Sequence, residues 1–223
     1  MLASPTVSVV DDDEQVRESL AALIQSMNLN VECYASGRDF LDKFSPATPG
    51  CVVLDLRMPQ LNGLEVIDEL AARNVEVPVI MISGHGDIPA AVAAIKAGAV
   101  DFLEKPYRGA ALMESVRRAI QRDLTNRQDR SQRQVLADRF ESLTADERQV
   151  LELTVAGKPD KAIALKLDLS LRTIQLRRAS VMRKMHAHSR AELIGLAHQI
   201  DRGEAATSAG SNVQNGSVQS SNV

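Results

Sequence analysis

The chain has 223 residues and a mass of 24.2 kDa, with 26 basic and 29 acidic side chains and a formal charge of −3. No apolar run approaches the roughly 20 residues of a membrane span, no secretory signal opens the sequence, and 44% hydrophobic with 25% charged residues is ordinary for a soluble chain. Two cysteines outside any C-x-x-C pair exclude a disulfide framework and a cysteine-based zinc site, which fits a reducing cytoplasm, and 3% aromatics without Trp argue against base-stacking surfaces.

From the N-terminus to residue 124, two patterns alternate. Short β-branched runs at Thr6–Val10, Asn30–Tyr34, Cys51–Leu54, Val77–Ile82 and Val100–Leu103 predict five strands. Segments with three- and four-residue apolar spacing predict helices at Val16–Met27, Gly37–Phe44, Leu64–Arg73, Ala90–Ala97 and Ala110–Leu124. The strands read as nearly continuous apolar runs, as expected for a parallel sheet covered on both faces. The fold class expected is therefore an α/β doubly wound, five-stranded parallel sheet for residues 1–124, joined to a small all-α unit.

Residues 125–140 are polar and rich in Arg and Gln, and read as a linker that continues the preceding helix at its start. Residues 141–203 read as all-helical. Thr144-x-x-Glu147 and Ser189-x-x-Glu192 are capping-box patterns, Gly157 ends the first helix, a short helix follows at Lys161–Leu167, and Ser170 caps another running to Met185. Residues 204–223, rich in Ser, Asn, Gln, Gly and Ala, read as a disordered tail.

Charge divides unevenly along this plan. Residues 1–124 carry 11 basic and 18 acidic side chains, whereas residues 170–190 hold Arg172, Arg177, Arg178, Arg183, Lys184 and Arg190 with no acid. An acidic unit is thus joined to one suited to a polyanion.

Functional groups of open parallel sheets gather beyond the carboxyl ends of the strands. The first strand runs into Asp11, Asp12 and Asp13, the third into Asp55, the fourth into Ser83, and the fifth into Glu104-Lys105-Pro106. Crowded carboxylates need positive charge between them, and Lys105 alone does not balance Asp11, Asp12 and Asp55. A hard divalent cation such as Mg²⁺ would. An Asp beside Mg²⁺ and Lys is also a plausible nucleophile for phosphoryl groups. Asp13 reads instead as a helix cap.

These residues carry a resemblance. VVDDDE at 9–14, LDLRMPQLNG at 54–63, ISGHGD at 82–87 and AGAVDFLEKPY at 97–107 resemble the flavodoxin-like receiver domain of bacterial two-component response regulators. LTADERQVLELTVAG at 143–157 and SLRTIQLRRASVMRKM at 170–185 resemble the LuxR-type helix-turn-helix. Together they are similar to the FixJ/NarL-like family of transcription regulators, on its FixJ side, over about residues 5–200.

The resemblance implies that Asp55 is the phosphoacceptor for a sensor histidine kinase. Asp12, Asp55 and the main-chain carbonyl of Arg57 would bind Mg²⁺, with Asp11 acting directly or through water. Lys105 would bind the phosphoryl group, next to a cis Lys105–Pro106 peptide, and Ser83 and Phe102 would form the switch pair; Phe102 also fits a plain core role. His85 reads as a solvent-facing loop residue rather than a metal ligand, and Gly63 after Asn62 as a turn with positive φ. The implied effector places the helix from Ser170 in a DNA major groove. Ile174, Val181, Met182 and Met185 would face inward. DNA contacts are expected from Arg172, Thr173, Gln175, Leu176, Arg177, Arg178, Ala179 and Lys184, with Thr173 and Arg178 on phosphates, Gln175 on an adenine edge and Arg177 on guanine or phosphate. Relatives commonly carry other residues at the positions of Gln175 and Arg177, so a target site does not transfer. The partners implied are the kinase, double-stranded promoter DNA, a second copy of the chain on phosphorylation and, as a further candidate, RNA polymerase.

A hydrolase with an aspartyl intermediate would place a general acid two residues after the nucleophile, where this chain has Arg57, so the chain does not read as an enzyme. The alternative reading is a helix-turn-helix regulator that acts independently of phosphorylation or is controlled by a small ligand.

Overall fold

The computed structural model describes residues 4–84 and 88–211, with side chains described as far as residue 200. The chain divides into two compact units, Met1–Arg127 and Gln128–Val223. The first unit alternates β1 (Thr6–Val10), α1 (Glu14–Gln25), β2 (Asn30–Tyr34), α2 (Gly37–Lys43), β3 (Gly50–Asp55), α3 (Gly63–Ala72), β4 (Val79–Ser83), α4 (Ile88–Ala97), β5 (Asp101–Glu104) and the start of α5 (Gly109–Glu141). Its five strands form one sheet in the order β2-β1-β3-β4-β5, every pair parallel.

The period-two alternation of side chains along a strand sorts the apolar residues onto two faces. Val10, Val52, Leu54, Val79 and Met81 pack with Phe40, Leu41, Val66, Ile67, Leu70 and Ala94 of α2, α3 and α4. Val7, Val9, Cys51, Val53, Ile80 and Ile82 pack with Leu20, Ile24, Leu112, Val116, Ala119 and Ile120 of α1 and α5. Full burial on both faces holds for β3 and β4 but not for β2, where three of five residues are exposed, nor for β5. These two strands are the sheet's edges, and each has a neighbour on one side only.

The expected helix Ala110–Leu124 and linker 125–140 are one continuous 33-residue helix, α5. No Pro or Gly interrupts residues 110–156, and side-chain pairs four residues apart, Asp123–Arg127 and Gln134–Asp138, support the polar stretch. Arg127 also ties the helix to the sheet. Its Nε donates to Asp123 Oδ2 at 2.6 Å, and its terminal nitrogens donate to the carbonyls of Pro46, Ala47 and Thr48. Asp123 is fully buried and accepts from the Gly50 amide at the head of β3.

In the second unit, α6 (Ala145–Val155), α7 (Asp160–Leu167), α8 (Leu171–Met185) and α9 (Arg190–Ser211) follow the end of α5. The Thr144/Glu147 capping box is closed, and Ser170 Oγ accepts from the Thr173 amide. Gly157, at φ 77°, ends α6, because the left-handed turn there suits a residue without Cβ. At α9 the pattern is half closed: Ser189 Oγ accepts from the Glu192 amide, but Glu192 Oε2 takes the amide of His188 instead of Ser189. Ile174, Val181 and Met185 are fully buried and Met182 partly so. α9 continues to Ser211, past the expected start of the tail at 204; the rest of the tail lies outside the described residues.

Arg127→Ala would leave the buried Asp123 carboxylate without its cation. We expect a loss of about 3 kcal/mol in the stability of the first unit, read from the urea midpoint by circular dichroism.

Candidate functional site

β1 and β3 are neighbours, and the chain leaves them towards opposite flanks of the sheet, so a crevice opens beyond their carboxyl ends. Asp11 and Asp55 stand there, 3% and 7% exposed. Lys105, after β5, donates from Nζ to Asp11 Oδ2 at 2.8 Å and to Asp55 Oδ1 at 2.7 Å. The second oxygen of each carboxylate is held locally: Asp11 Oδ1 accepts from the Asp13 amide and Asp55 Oδ2 from the Arg57 amide. Arg17 of α1 donates to the Asp11 carbonyl at 2.8 Å. Asp13 caps α1 through the amides of Gln15 and Val16.

One ammonium therefore serves two buried carboxylates. Burial pushes the Asp55 pKa up, Lys105 pulls it down, and Asp11 pushes it up again, leaving it raised. Burial opposes the charge on Lys105, but its bonds to Asp11 and Asp55 outweigh this and hold its pKa above the ordinary value. Burial also raises the pKa of Tyr107, which feels the same three charges and was not anticipated as part of this environment. The uncompensated negative charge and the all-oxygen donor set fit a hard divalent cation. Among the described residues, no three Asp, Glu, His or Cys side chains form a metal cluster, so such an ion would complete its shell with backbone or water oxygen. Asp12, next in the chain after Asp11, is exposed.

Ser83 is buried at the end of β4, and its carbonyl accepts from the Lys105 amide. Asp55 is paired with Ile82, the residue before Ser83, which sets Ser83 one step beyond the acid on the adjacent strand. Phe102 of β5 is partly buried against the α2–α3–α4 core. The Lys105–Pro106 peptide is cis. His85 lies outside the described residues. Gly63 corrects its expected role. It is the first residue of α3 behind the Asn62 cap (φ −77°), while the positive φ of this loop falls on Gln60. Glycine is required by contact: a Cβ at Gly63 would lie 2.6 Å from the Asp55 carbonyl oxygen and 2.8 Å from Met81 Sδ.

The expected nucleic-acid face is on α8. Arg172, Gln175, Leu176 and Ala179 are exposed along it, and Thr173 is half-buried. The basic run is less free than its sequence implies. Arg177 donates to Asp146 of α6 at 2.5 Å and Arg178 to Asp160 of α7 at 2.7 Å. Lys184 donates to Glu147 at 2.6 Å and to the Ser142 carbonyl at 2.9 Å, so its ammonium faces α6. Arg190 caps the end of α6 through the carbonyls of Thr154 and Lys158. The acidic partners of Arg177, Arg178 and Lys184 lie 18 to 37 residues away, and no local spacing announces them.

Two family models match the two units: the response regulator receiver domain at residues 7–117 and the bacterial regulatory proteins of the luxR family at residues 141–197. A phosphoryl receiver is thus joined to a LuxR-type DNA-binding unit. The chain is 45% identical over 197 residues to the transcriptional regulatory protein FixJ of Azorhizobium caulinodans, covering 88% of this chain and 93% of that protein. It is 40% identical over 194 residues to the response regulator protein TodT of Pseudomonas putida, covering 87% and 86%. Among solved structures it resembles the response regulator StyR, with a TM-score of 0.82 at 40% identity over 88% of this chain and all of that one. Full-length FixJ from B. japonicum has a TM-score of 0.55 at 39% identity over 90% and 98%. The chain belongs to the FixJ-type response regulators, two-component transcription regulators with a LuxR-type helix-turn-helix. No helix among the described residues is long and apolar enough to cross a membrane.

The Lys184 bond and the Thr144 amide hold the Glu147 carboxyl down at about 2. A lowered folded pKa contributes stability that is present above the ordinary value of 4.5 and is lost as pH falls towards 2. Glu147→Gln should cost the second unit about 1.5–3 kcal/mol at pH 7 in urea denaturation, and its deficit against the natural chain should shrink between pH 4.5 and 2.

Proposed function

We propose that Asp55 accepts a phosphoryl group from a phosphohistidine on a sensor kinase. An Asp55 carboxylate oxygen forms the new P–O bond while the P–N bond to the donor imidazole breaks, and the electron pair leaves with the imidazole. The observation that carries this reading is the Lys105 ammonium bridging Asp55 and Asp11 at the buried strand ends. Lys105 is placed to exchange its bond with Asp55 for one to a phosphoryl oxygen, which disperses the transferred charge. Asp11, Asp12, Asp55 and the Arg57 carbonyl would hold Mg²⁺, which when bound neutralises charge on the phosphoryl oxygens. The Ser83 hydroxyl would follow the phosphoryl group, with Phe102 responding on the neighbouring strand.

A second copy of the chain is the partner on phosphorylation. Ile88, Val92 and Ile95 are 80%, 45% and 50% exposed at four- and three-residue steps along α4, an apolar stripe of the kind that a two-fold contact covers. Pairing then offers two α8 helices to a roughly palindromic promoter site in the cytoplasm, where RNA polymerase is the further partner. On DNA, Arg172 and Thr173 serve phosphates and Gln175 and Arg177 serve bases, flanked by Leu176, Arg178 and Ala179; Lys184 supports the fold.

With acetyl phosphate or beryllofluoride and Mg²⁺, the natural chain should dimerise in analytical ultracentrifugation and Asp55→Asn should stay monomeric. Dimerisation of Asp55→Asn under these conditions refutes Asp55 as acceptor. On DNA, Arg172→Ala should weaken binding to all sequences and lower the salt slope by about 0.9, whereas Gln175→Ala should cost about 1–3 kcal/mol of discrimination at one base position.

A further inference from the structure

The adjacent arginines of α8 are each met by a carboxylate from another helix, but in different shelter. Asp160, the first residue of α7, is 16% exposed where it meets Arg178. Asp146, in the first turn of α6, is 58% exposed where it meets Arg177. The arginines differ little, 26% exposed for Arg177 and 34% for Arg178, so the contrast lies in the acids: the pair made by the more exposed Asp146 is weaker and more screened by salt than the Asp160 pair. Arg177 is itself 26% exposed and directly follows Gln175 and Leu176, both on the open face of α8. Asp146 also brings a negative charge to the flank of a surface that meets phosphates.

We propose that Asp146 is a specificity-setting positioning residue that withholds Arg177 from random DNA. One terminal nitrogen of Arg177 is committed to one oxygen of Asp146. A lone phosphate offers little more than this carboxylate does. A guanine edge presents two acceptors, O6 and N7, to the guanidinium fork and so replaces the carboxylate with a two-point contact. The Asp146–Arg177 bond persists on the wrong sequence and is exchanged on the right one, while Arg178 stays with Asp160. This inference rests on the reading of α8 as the DNA-contacting helix.

The test is a double-mutant cycle on the full chain with Asp146→Asn, Arg177→Gln and both together. Binding is measured across a salt series to a random duplex and to a duplex that the natural chain selects from a random pool. Asp146→Asn should tighten random-duplex binding roughly two- to fivefold, the hold of an exposed pair, and steepen the salt slope by about 0.9 as one more phosphate contact forms. The ratio of specific to random affinity should fall, and Asp146→Glu should restore it. In the Arg177→Gln background these gains should vanish. If Asp146→Asn tightens binding equally in that background, Asp146 acts only as a bulk charge and the inference fails alone. If Asp146→Asn changes neither random-duplex affinity nor slope, it also fails alone. If Arg177→Gln leaves binding to both duplexes unchanged, the DNA role of Arg177 fails and takes the inference with it.

Discussion

Two carboxylates buried within reach of one ammonium are the constraint on which the first unit is organised. Asp11 and Asp55 end neighbouring strands, and Lys105 must arrive from the far end of the sheet to hold them. Without it, two desolvated negative charges would face each other. The arrangement satisfies the charges only in part, because each acid shares the one cation. That deficit suits the site to a divalent cation. The surroundings enforce it closely. Gly63 lets α3 lie against the Asp55 carbonyl, and the Asp13 and Arg57 amides hold the outer oxygens.

The second unit uses the same chemistry to a different end. Its carboxylates do not await a cation but hold the basic groups of α8 and orient its neighbours. The Lys184–Glu147 bond locks α8 to the capping box of α6, so one acid both ends an unpaired helix terminus and anchors the neighbouring helix. Arg190 closes the other end of α6. What remains open on α8, with Arg172 and Gln175 at its N-terminal end, is narrower than the run of six basic residues suggests.

Local chemistry explains which parts were legible in advance. Caps at Asp13, Thr144 and Ser170 depend on residues two or three positions away, and they form as their spacing implies. The convergence of Asp11, Asp55 and Lys105 was legible because a parallel sheet aligns its carboxyl ends, so residues 94 and 50 positions apart meet by rule. Residues 125–140 continue α5 beyond the start that the sequence implies, because nothing in them breaks a helix and Arg127 fastens α5 to the loop before β3. Gly63 was misjudged because its partner is a carbonyl on another element, and Asn-Gly looks like a turn whatever it packs against.

By itself the sequence determined the order of strands and helices, the family, and the identity of the acids and base at the sheet edge, because periodicity, capping and motif order are properties of neighbouring residues. Only the tertiary structure decided which charges are spent. It committed Lys184 to Glu147, Arg178 to Asp160 and Arg177 to Asp146, and left Arg172 without a partner among the described residues. The net charge of −3 counts all of these alike. An ion pair depends on distance and shelter in space, and neither can be read from position along the chain.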